Sequence, residues 1–284
     1  MATLVLQGPR LTEQEAIALS HSFKGRLEEG KGYYRLQIDG EVDAQRLAMH
    51  RQQEDFDINL LPAGFDPTQV KLLVTDMDST LISIECIDEI ADFVDVKPQV
   101  SEITEAAMRG EIDFETSLRR RIALLKGLEP SALDHVYNER LTLNPGAEQM
   151  LAGLKARGIK TTLVSGGFTY FTDKLKQRLG LDYTLANTLE FENGTLTGEI
   201  HGPIVGAQAK ADFLLQKCEE LGIQPSQAVA MGDGANDLVM MKQAGLSIAY
   251  HAKPKVQEQA HAALNHCGLE GVLGLLGIDI APAH

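Results

Sequence analysis

The sequence predicts an α/β chain: a doubly wound parallel sheet carrying a helical cap insertion and preceded by a small N-terminal α/β domain. Three observations predict it. From Lys71 onward, strand-like and helix-like segments alternate, as in βα units that cover both faces of a parallel sheet. One block, residues 83–145, breaks this alternation and is helical in pattern almost throughout. The breaker-rich stretch Pro62-Ala63-Gly64-Phe65-Asp66-Pro67 reads as a linker, dividing residues 1–66 from residues 67–284.

Taken in order, Thr3–Gln7 reads as a strand, and Thr12 as the N-cap of a helix over Glu13–Phe23, with Glu15 in the capping-box position. Gly32–Ile38 is a second strand, Asp43–Gln52 a helix and Phe56–Leu61 a third strand. That count is one strand short of a βαββαβ unit. Leu72–Thr75 is a short apolar and β-branched run that ends abruptly in acids, the pattern of a buried parallel strand. The insertion offers four helices, Glu85–Val94, Val100–Arg109, Phe114–Leu125 and Ser131–Glu139. Beyond it come helix Gly146–Arg157, strand Lys160–Val164 and helix Thr169–Leu179. Thr188–Glu192 and Thr195–Ile200 flank Asn193-Gly194, a dipeptide suited to a type I′ hairpin turn. Strand Ala228–Met231, helix Asn236–Gln243, strand Leu246–Ala249 and helix Val256–His261 complete the alternation.

Composition narrows the function. A formal net charge of −14 argues against nucleic acid or an anionic membrane as partner. Cys86, Cys218 and Cys267 are scattered without metal-ligand spacing, and the first residues carry no basic, apolar leader. Reduced thiols in a cytoplasmic protein are expected. No segment approaches the length of a membrane span.

In open α/β sheets, ligands bind beyond the carboxyl ends of the strands. Three predicted strands end in polar residues of a matching kind: Asp76-Met77-Asp78-Ser79-Thr80, Ser165-Gly166-Gly167, and Gly232-Asp233-Gly234-Ala235-Asn236-Asp237. Asp76, Asp78 and Asp233 would gather carboxylates at one edge, where a hard divalent cation, Mg2+ by its taste for few carboxylates plus water and phosphate, relieves their repulsion. Lys210 adds a second positive charge, and Ser165 with the N–H groups around Gly166 can hold phosphate oxygens. A carboxylate there can accept a phosphoryl group that water then removes. Each element alone is weak: an acidic pair is usually a solvated turn, Ser-Gly-Gly a tight bend, one lysine a solvated helix face. Their conjunction at three successive strand ends is strong.

DMDST, VSGGF, the isolated Lys210 and GDGAND, in this order, resemble the haloacid dehalogenase superfamily of phosphatases over roughly residues 71–284. The resemblance implies a HAD-like, Rossmann-type core. It makes Asp76 the nucleophile, Asp78 the general acid/base, and Ser165, Gly166, Lys210 and Asn236 the phosphate holders. Asp76, Asp78 and Asp233 become the metal set, with Asp237 supporting it from behind.

The cap must choose the ester. A zwitterionic amino-acid phosphate needs a carboxylate for its ammonium, a guanidinium for its carboxylate, and an apolar wall. Glu85, Arg121, and Met108 with Phe114 could supply these, although a solvated arginine run and ordinary core packing are the plainer readings. IECIDE, AMRGEIDF and SLRRR resemble the cap of phosphoserine phosphatases, which implies Glu85 on the substrate amine, Arg121 on its carboxylate and Met108 and Phe114 along the pocket. Phosphoserine is the expected substrate, with phosphothreonine or phosphohomoserine as the alternative. A non-catalytic phospho-acceptor has no need of Asp78 or a cap. The N-terminal unit looks like a truncated ACT-like module that could mediate a homodimer. HAKPKV, residues 251–256, also resembles the family and receives no chemistry.

Overall fold

The computed structural model describes residues 1–280. The N-terminal unit runs β1 (Ala2–Gln7), α1 (Glu13–Phe23), β2 (Arg26–Gly30), β3 (Tyr33–Ile38), α2 (Ala44–Gln53) and β4 (Asp57–Leu60). Its strands pair antiparallel in the order β2-β3-β1-β4, the ferredoxin-like arrangement. The unit therefore has four strands, which corrects the expected three and the truncated module. The missing strand is β2, whose sequence RLEEG shows no apolar alternation because it lies at the sheet edge and is only partly covered. The capping box at α1 is present: Glu15 N–H donates to Thr12 Oγ1 at 3.3 Å, and Thr12 N–H to Glu15 Oε2 at 2.7 Å.

The larger unit opens with β5 (Leu72–Thr75), followed by α3 (Cys86–Phe93), α4 (Lys97–Met108), α5 (Phe114–Ala123) and α6 (Pro130–His135). Next come α7 (Ala147–Ala156), β6 (Lys160–Phe168), α8 (Thr169–Leu179), β7 (Tyr183–Glu192), β8 (Thr195–His201) and α9 (Ala207–Leu221). The chain then alternates β9 (Ala228–Gly232), α10 (Leu238–Met241), β10 (Leu246–Tyr250), α11 (Pro254–Gln259), β11 (Ala262–Leu264) and α12 (Gly271–Leu275). The strand order is β11-β10-β9-β5-β6-β7-β8, parallel except for the β7–β8 pair. At their hairpin, Asn193 and Gly194 take φ of +51° and +84°, the left-handed pair a type I′ turn requires.

β5 lies at the centre with no exposed side chain, which is why its four residues show no polar alternation. Alternate residues serve opposite faces. Leu72 and Val74 pack with Leu214 of α9 and Met241 of α10, whereas Leu73 joins Met150 and Leu154 of α7 and Phe171 of α8. Two layers of core follow, one on each side of the sheet.

Helices α3–α6 leave the sheet together between β5 and α7. At their neck, Ile82 and Leu143 form a single antiparallel bridge, and Asn144 Nδ2 donates to the carbonyls of Thr80 and Ile82 at 2.8 and 3.1 Å. The segments entering and leaving the insertion are thus pinned beside the Met77–Leu81 turn. The β7–β8 hairpin braces it further: Gly127 N–H donates to Leu196 O, and Leu196 N–H to Leu128 O, both at 2.8 Å.

Three elements of the larger unit escaped the sequence reading, α9, β11 and α12. The N-cap of α9 is Gly206, which offers no side-chain cap, so the helix that carries Lys210 begins without a signal. The expected helix Val256–His261 ends earlier, at Gln259, because Pro254 starts it and residues 262–264 form edge strand β11.

The N-terminal sheet buries one face under α1 and α2 and turns the other toward the larger unit. Asp57 is buried there, its carboxylate accepting from the N–H groups of Asn265, His266 and Cys267 at 2.9–3.2 Å. Asn59 pairs with Ala263 as a strand would, donating to its carbonyl and accepting from its N–H, both at 2.9 Å. Arg35 donates to the carbonyls of Gly274 and Leu275 at the end of α12. All three cysteines are free and buried. Among the described residues, no helix is long and apolar enough to cross a membrane.

Candidate active site

The parallel register of β5 with β9 and β6 brings the three polar strand ends side by side. Asp76 follows β5 directly and is held by its N–H to Met231 O of β9 at 3.0 Å. The residue is only 5% exposed. The chain then makes one wide turn, Met77–Leu81, in which Ser79 adopts φ +56°. That left-handed residue lies in the turn that leads from Asp76 into the insertion carrying Glu85.

Lys210 reaches the floor of the site from α9, 1% exposed. Its Nζ donates to Asp76 Oδ1 at 2.6 Å and to Asp237 Oδ1 at 2.8 Å. Burial works against this ammonium, but the carboxylates of Asp237 and Asp76 outweigh it and hold its pKa above the ordinary lysine range. Asp76 moves the same way for the opposite reason: burial and then Asp237 push its pKa well up, against the pull of Lys210. One lysine therefore does not satisfy this acid. Asp76, Asp233 and Asp237 each bring a carboxylate oxygen within 4.8 Å of the others. Burial and Asp237 likewise raise Asp233. An all-oxygen cluster with charge left unneutralised fits a hard divalent cation.

The cluster differs at one place from the set Asp76, Asp78 and Asp233. The carboxylate of Asp78 is not part of it and is engaged elsewhere: Oδ1 accepts from Cys86 N–H at 2.8 Å and Oδ2 from Ser165 Oγ at 3.3 Å. The third carboxylate in the cluster is that of Asp237, already engaged with Lys210 and with Gly234 N–H at 3.1 Å. Burial raises Asp78, with the Cys86 hydrogen bond opposing.

Ser165 ends the buried part of β6 and accepts from Gly167 N–H at 2.8 Å. The two glycines leave room for close neighbours. A Cβ on Gly167 would come 2.9 Å from Asp78 Oδ2, and one on Gly166 would meet Phe114 at 3.2 Å. Asn187, fully buried in β7, donates to Gly166 O and accepts from Val205 N–H, each at 2.8 Å. Sequence reasoning missed Asn187 because a lone asparagine in a strand pattern carries no motif.

The cap closes the other side. Asp76, Asp78, Ser165, Gly166, Asp233 and Asn236 share a cavity of about 380 Å³ with Glu85, Met108, Phe114 and Arg121. Lys210 and Asp237 lie beneath its floor. Ser79 Oγ donates to Glu85 Oε1 at 2.6 Å, and burial together with Asp78 pushes the Glu85 carboxyl up to about 7. Arg121 points inward from α5, its Nε donating to Ser117 O at 3.4 Å; burial lowers its pKa while Asp88 and Glu85 oppose. Arg119 is paired outside with Glu115, and Arg120 is exposed, which separates Arg121 from its two neighbours. Met108 is 68% exposed, so it forms the cavity rim and not a sealed wall. Asp88 and Lys253 also line the cavity; no sequence signal singled out Asp88, and Lys253 lies in the HAKPKV segment.

Such a site can present a carboxylate to a phosphorus atom, bind the phosphate through a cation, a lysine and backbone N–H groups, and exclude water behind a cap. Known proteins agree with this chemistry. The haloacid dehalogenase-like hydrolase family matches residues 70–245. A phosphoserine phosphatase of Polaromonas sp. is 53% identical over 224 residues, covering 77% of this chain and 95% of that one. The phosphoserine phosphatase of Vibrio cholerae serotype O1 is 47% identical over 84% of this chain and 72% of its own. Among solved structures, a HAD-family hydrolase from Salmonella enterica serovar Typhi superposes with a TM-score of 0.89 at 34% identity, covering 97% and 99% of the two chains. The unliganded probable phosphoserine phosphatase from Vibrio cholerae gives 0.83 at 42% identity, covering 97% and 86%.

Proposed function

Because the chain belongs to the haloacid dehalogenase-like hydrolases, we propose that it hydrolyses O-phospho-L-serine to serine and inorganic phosphate, the last step of serine biosynthesis, through a phospho-aspartate at Asp76. The observation that carries the substrate is the placement of Glu85 and Arg121 on the cap side of the cavity whose floor holds Asp76. One end of the cavity suits a phosphate and the other a zwitterion.

In the first half-reaction, a carboxylate oxygen of Asp76 attacks phosphorus while the bond to the serine oxygen breaks. Asp78, whose burial favours the protonated form, delivers its proton to that leaving oxygen. In the second, Asp78 takes a proton from water, and the resulting hydroxide displaces Asp76 from phosphorus, releasing phosphate. Lys210, Ser165, the Gly166 backbone and Asn236 hold the phosphate oxygens throughout. Glu85 pairs with the substrate ammonium, Arg121 with its carboxylate, and Phe114 and Met108 cover the carbon chain between. A divalent cation, for which we propose Mg2+, would be held by Asp76 and Asp233 with Asp237 behind them, and it supplies charge neutralisation at the phosphate. Asp78 would contribute to that set only through atoms other than its engaged carboxylate. The three free, buried thiols favour a cytoplasmic setting. The open edge of β2 offers a surface for a homodimer.

Phosphate release from phosphoserine, phosphothreonine and an aryl phosphate, with magnesium and with chelator, tests the reading. Release from phosphoserine should dominate and disappear with chelator; a preference for the aryl ester would sink the substrate assignment. Arg121→Ala should lower kcat/KM for phosphoserine about 10- to 100-fold, the worth of one charge-assisted pair, with little effect on the aryl ester. Equal losses on both esters would mean that Arg121 does not hold the substrate carboxylate.

A further inference from the structure

Acidic side chains dominate the lining of the cavity that a phosphate ester must enter. Asp76, Asp78, Glu85, Asp88 and Asp233 line it, against Arg121 and Lys253. Lys210 lies beneath the floor, where it serves a phosphate already seated against Asp76 and not one still at the mouth. Acidic groups thus outnumber basic ones in the lining by five to two, on a chain whose formal charge is −14. A phosphate monoester near neutral pH is itself close to a dianion, so its approach is uphill unless positive charge waits at the mouth.

Lys253 has that position. It is exposed, borders the cavity and makes no ion pair among the described residues. Its backbone is fixed from three sides. His251 is in the left-handed region at φ +42°, held there by its N–H to Leu264 O at 2.8 Å and by Nε2 lying 3.1 Å from Cys267 O. Gln257 Nε2 donates to Ala252 O at 2.7 Å, and Lys253 N–H reaches Asp233 O at 3.4 Å. The turn after β10 thus carries a free ammonium on a rigid stem beside the end of β9, and its charge acts on Asp233.

We propose that Lys253 is the capture residue for the phosphate group: its ammonium draws the dianionic ester across the rim and pairs with it before the phosphate settles against Asp76. The inference rests on the phosphatase reading above. It separates two cations by task, Arg121 for the carboxylate end of the substrate and Lys253 for the phosphate end during entry.

Lys253→Met and Lys253→Arg in the full chain, assayed on phosphoserine at low and high ionic strength, test it. Lys253→Met should lose about three- to tenfold in kcat/KM at low ionic strength, through KM, with kcat nearly unchanged. The deficit should shrink as salt screens the rim, and Lys253→Arg should restore most of it. Inorganic phosphate, bound by the magnesium-loaded protein in a calorimeter, should weaken by a similar factor. Four results would overturn the proposal: kcat/KM unchanged at low salt, a loss that ignores ionic strength, unaltered phosphate binding, or a shift in the magnesium requirement in place of KM. Failure of the parent chain to release phosphate from phosphoserine is a different failure, and the calorimetric arm still judges Lys253 in that case.

Discussion

Asp76→Asn should abolish phosphate release, by on the order of 10⁴-fold or more, the scale of loss when a covalent nucleophile is removed. The amide keeps the volume and one acceptor oxygen but cannot form a phospho-intermediate that water resolves. The fold should survive, because Asp76 is a buried acid whose charge is already disfavoured: burial and Asp237 raise it against Lys210. Asparagine removes that penalty, and Lys210 retains its 2.8 Å contact with Asp237. Phosphate release measured beside a urea melt checks both halves. Substantial residual turnover would remove Asp76 from the chemistry, and a collapsed melt would mean that its charge is structural.

Lys210→Met should do harm on both axes. The lysine is 1% exposed and is the partner of two buried carboxylates, so its loss leaves Asp76 and Asp237 facing each other without a counter-charge. Breaking a buried ion pair from one side costs about 3–5 kcal/mol. Loss of a positive charge beside the transferring phosphoryl group costs a further 10²- to 10³-fold in kcat. The expected pattern is a lower urea midpoint than that of Asp76→Asn, together with near-complete inactivity. A Lys210→Met protein as stable as its parent would show that the carboxylates are neutralised some other way.

The two variants separate what was legible in the sequence from what was not. Asp76 stood out because β5 is apolar up to the residue before it, and Asp78 because it follows at the spacing of a known motif. Lys210 was legible only through its place in the motif order, as the isolated lysine between VSGGF and GDGAND. It lies on a helix that begins at Gly206 with no capping side chain, and only the register of β5 and β9 brings its ammonium to Asp76. Phe114 and Arg121 were legible through cap motifs, yet their inward direction depends on α5 being braced by β8. Asn187 had no signal at all, since it acts on backbone groups of Gly166 and Val205, and Cys86 and Asp88 lay inside the IECIDE motif without a role, because their partners Asp78 and Arg121 are fixed by the fold.

The N-terminal unit tells the same story from the fold. Its first helix was legible to the capping box, because Thr12 and Glu15 interact three residues apart. Strand β2 was not, because an edge strand of charged residues draws its order from pairing with β3.

By itself, then, the sequence determined what depends on near neighbours: strand ends, caps, the Asn193-Gly194 turn, and the acids that punctuate each βα junction. Tertiary structure alone decided which of those ends meet and how their charges settle. It engaged the Asp78 carboxylate with Cys86 and Ser165, put that of Asp237 into the acidic cluster, and placed Lys253 at the rim. The physical reason is that strand register and burial set distances and dielectric between residues far apart in the chain, and those two quantities govern the chemistry of this site.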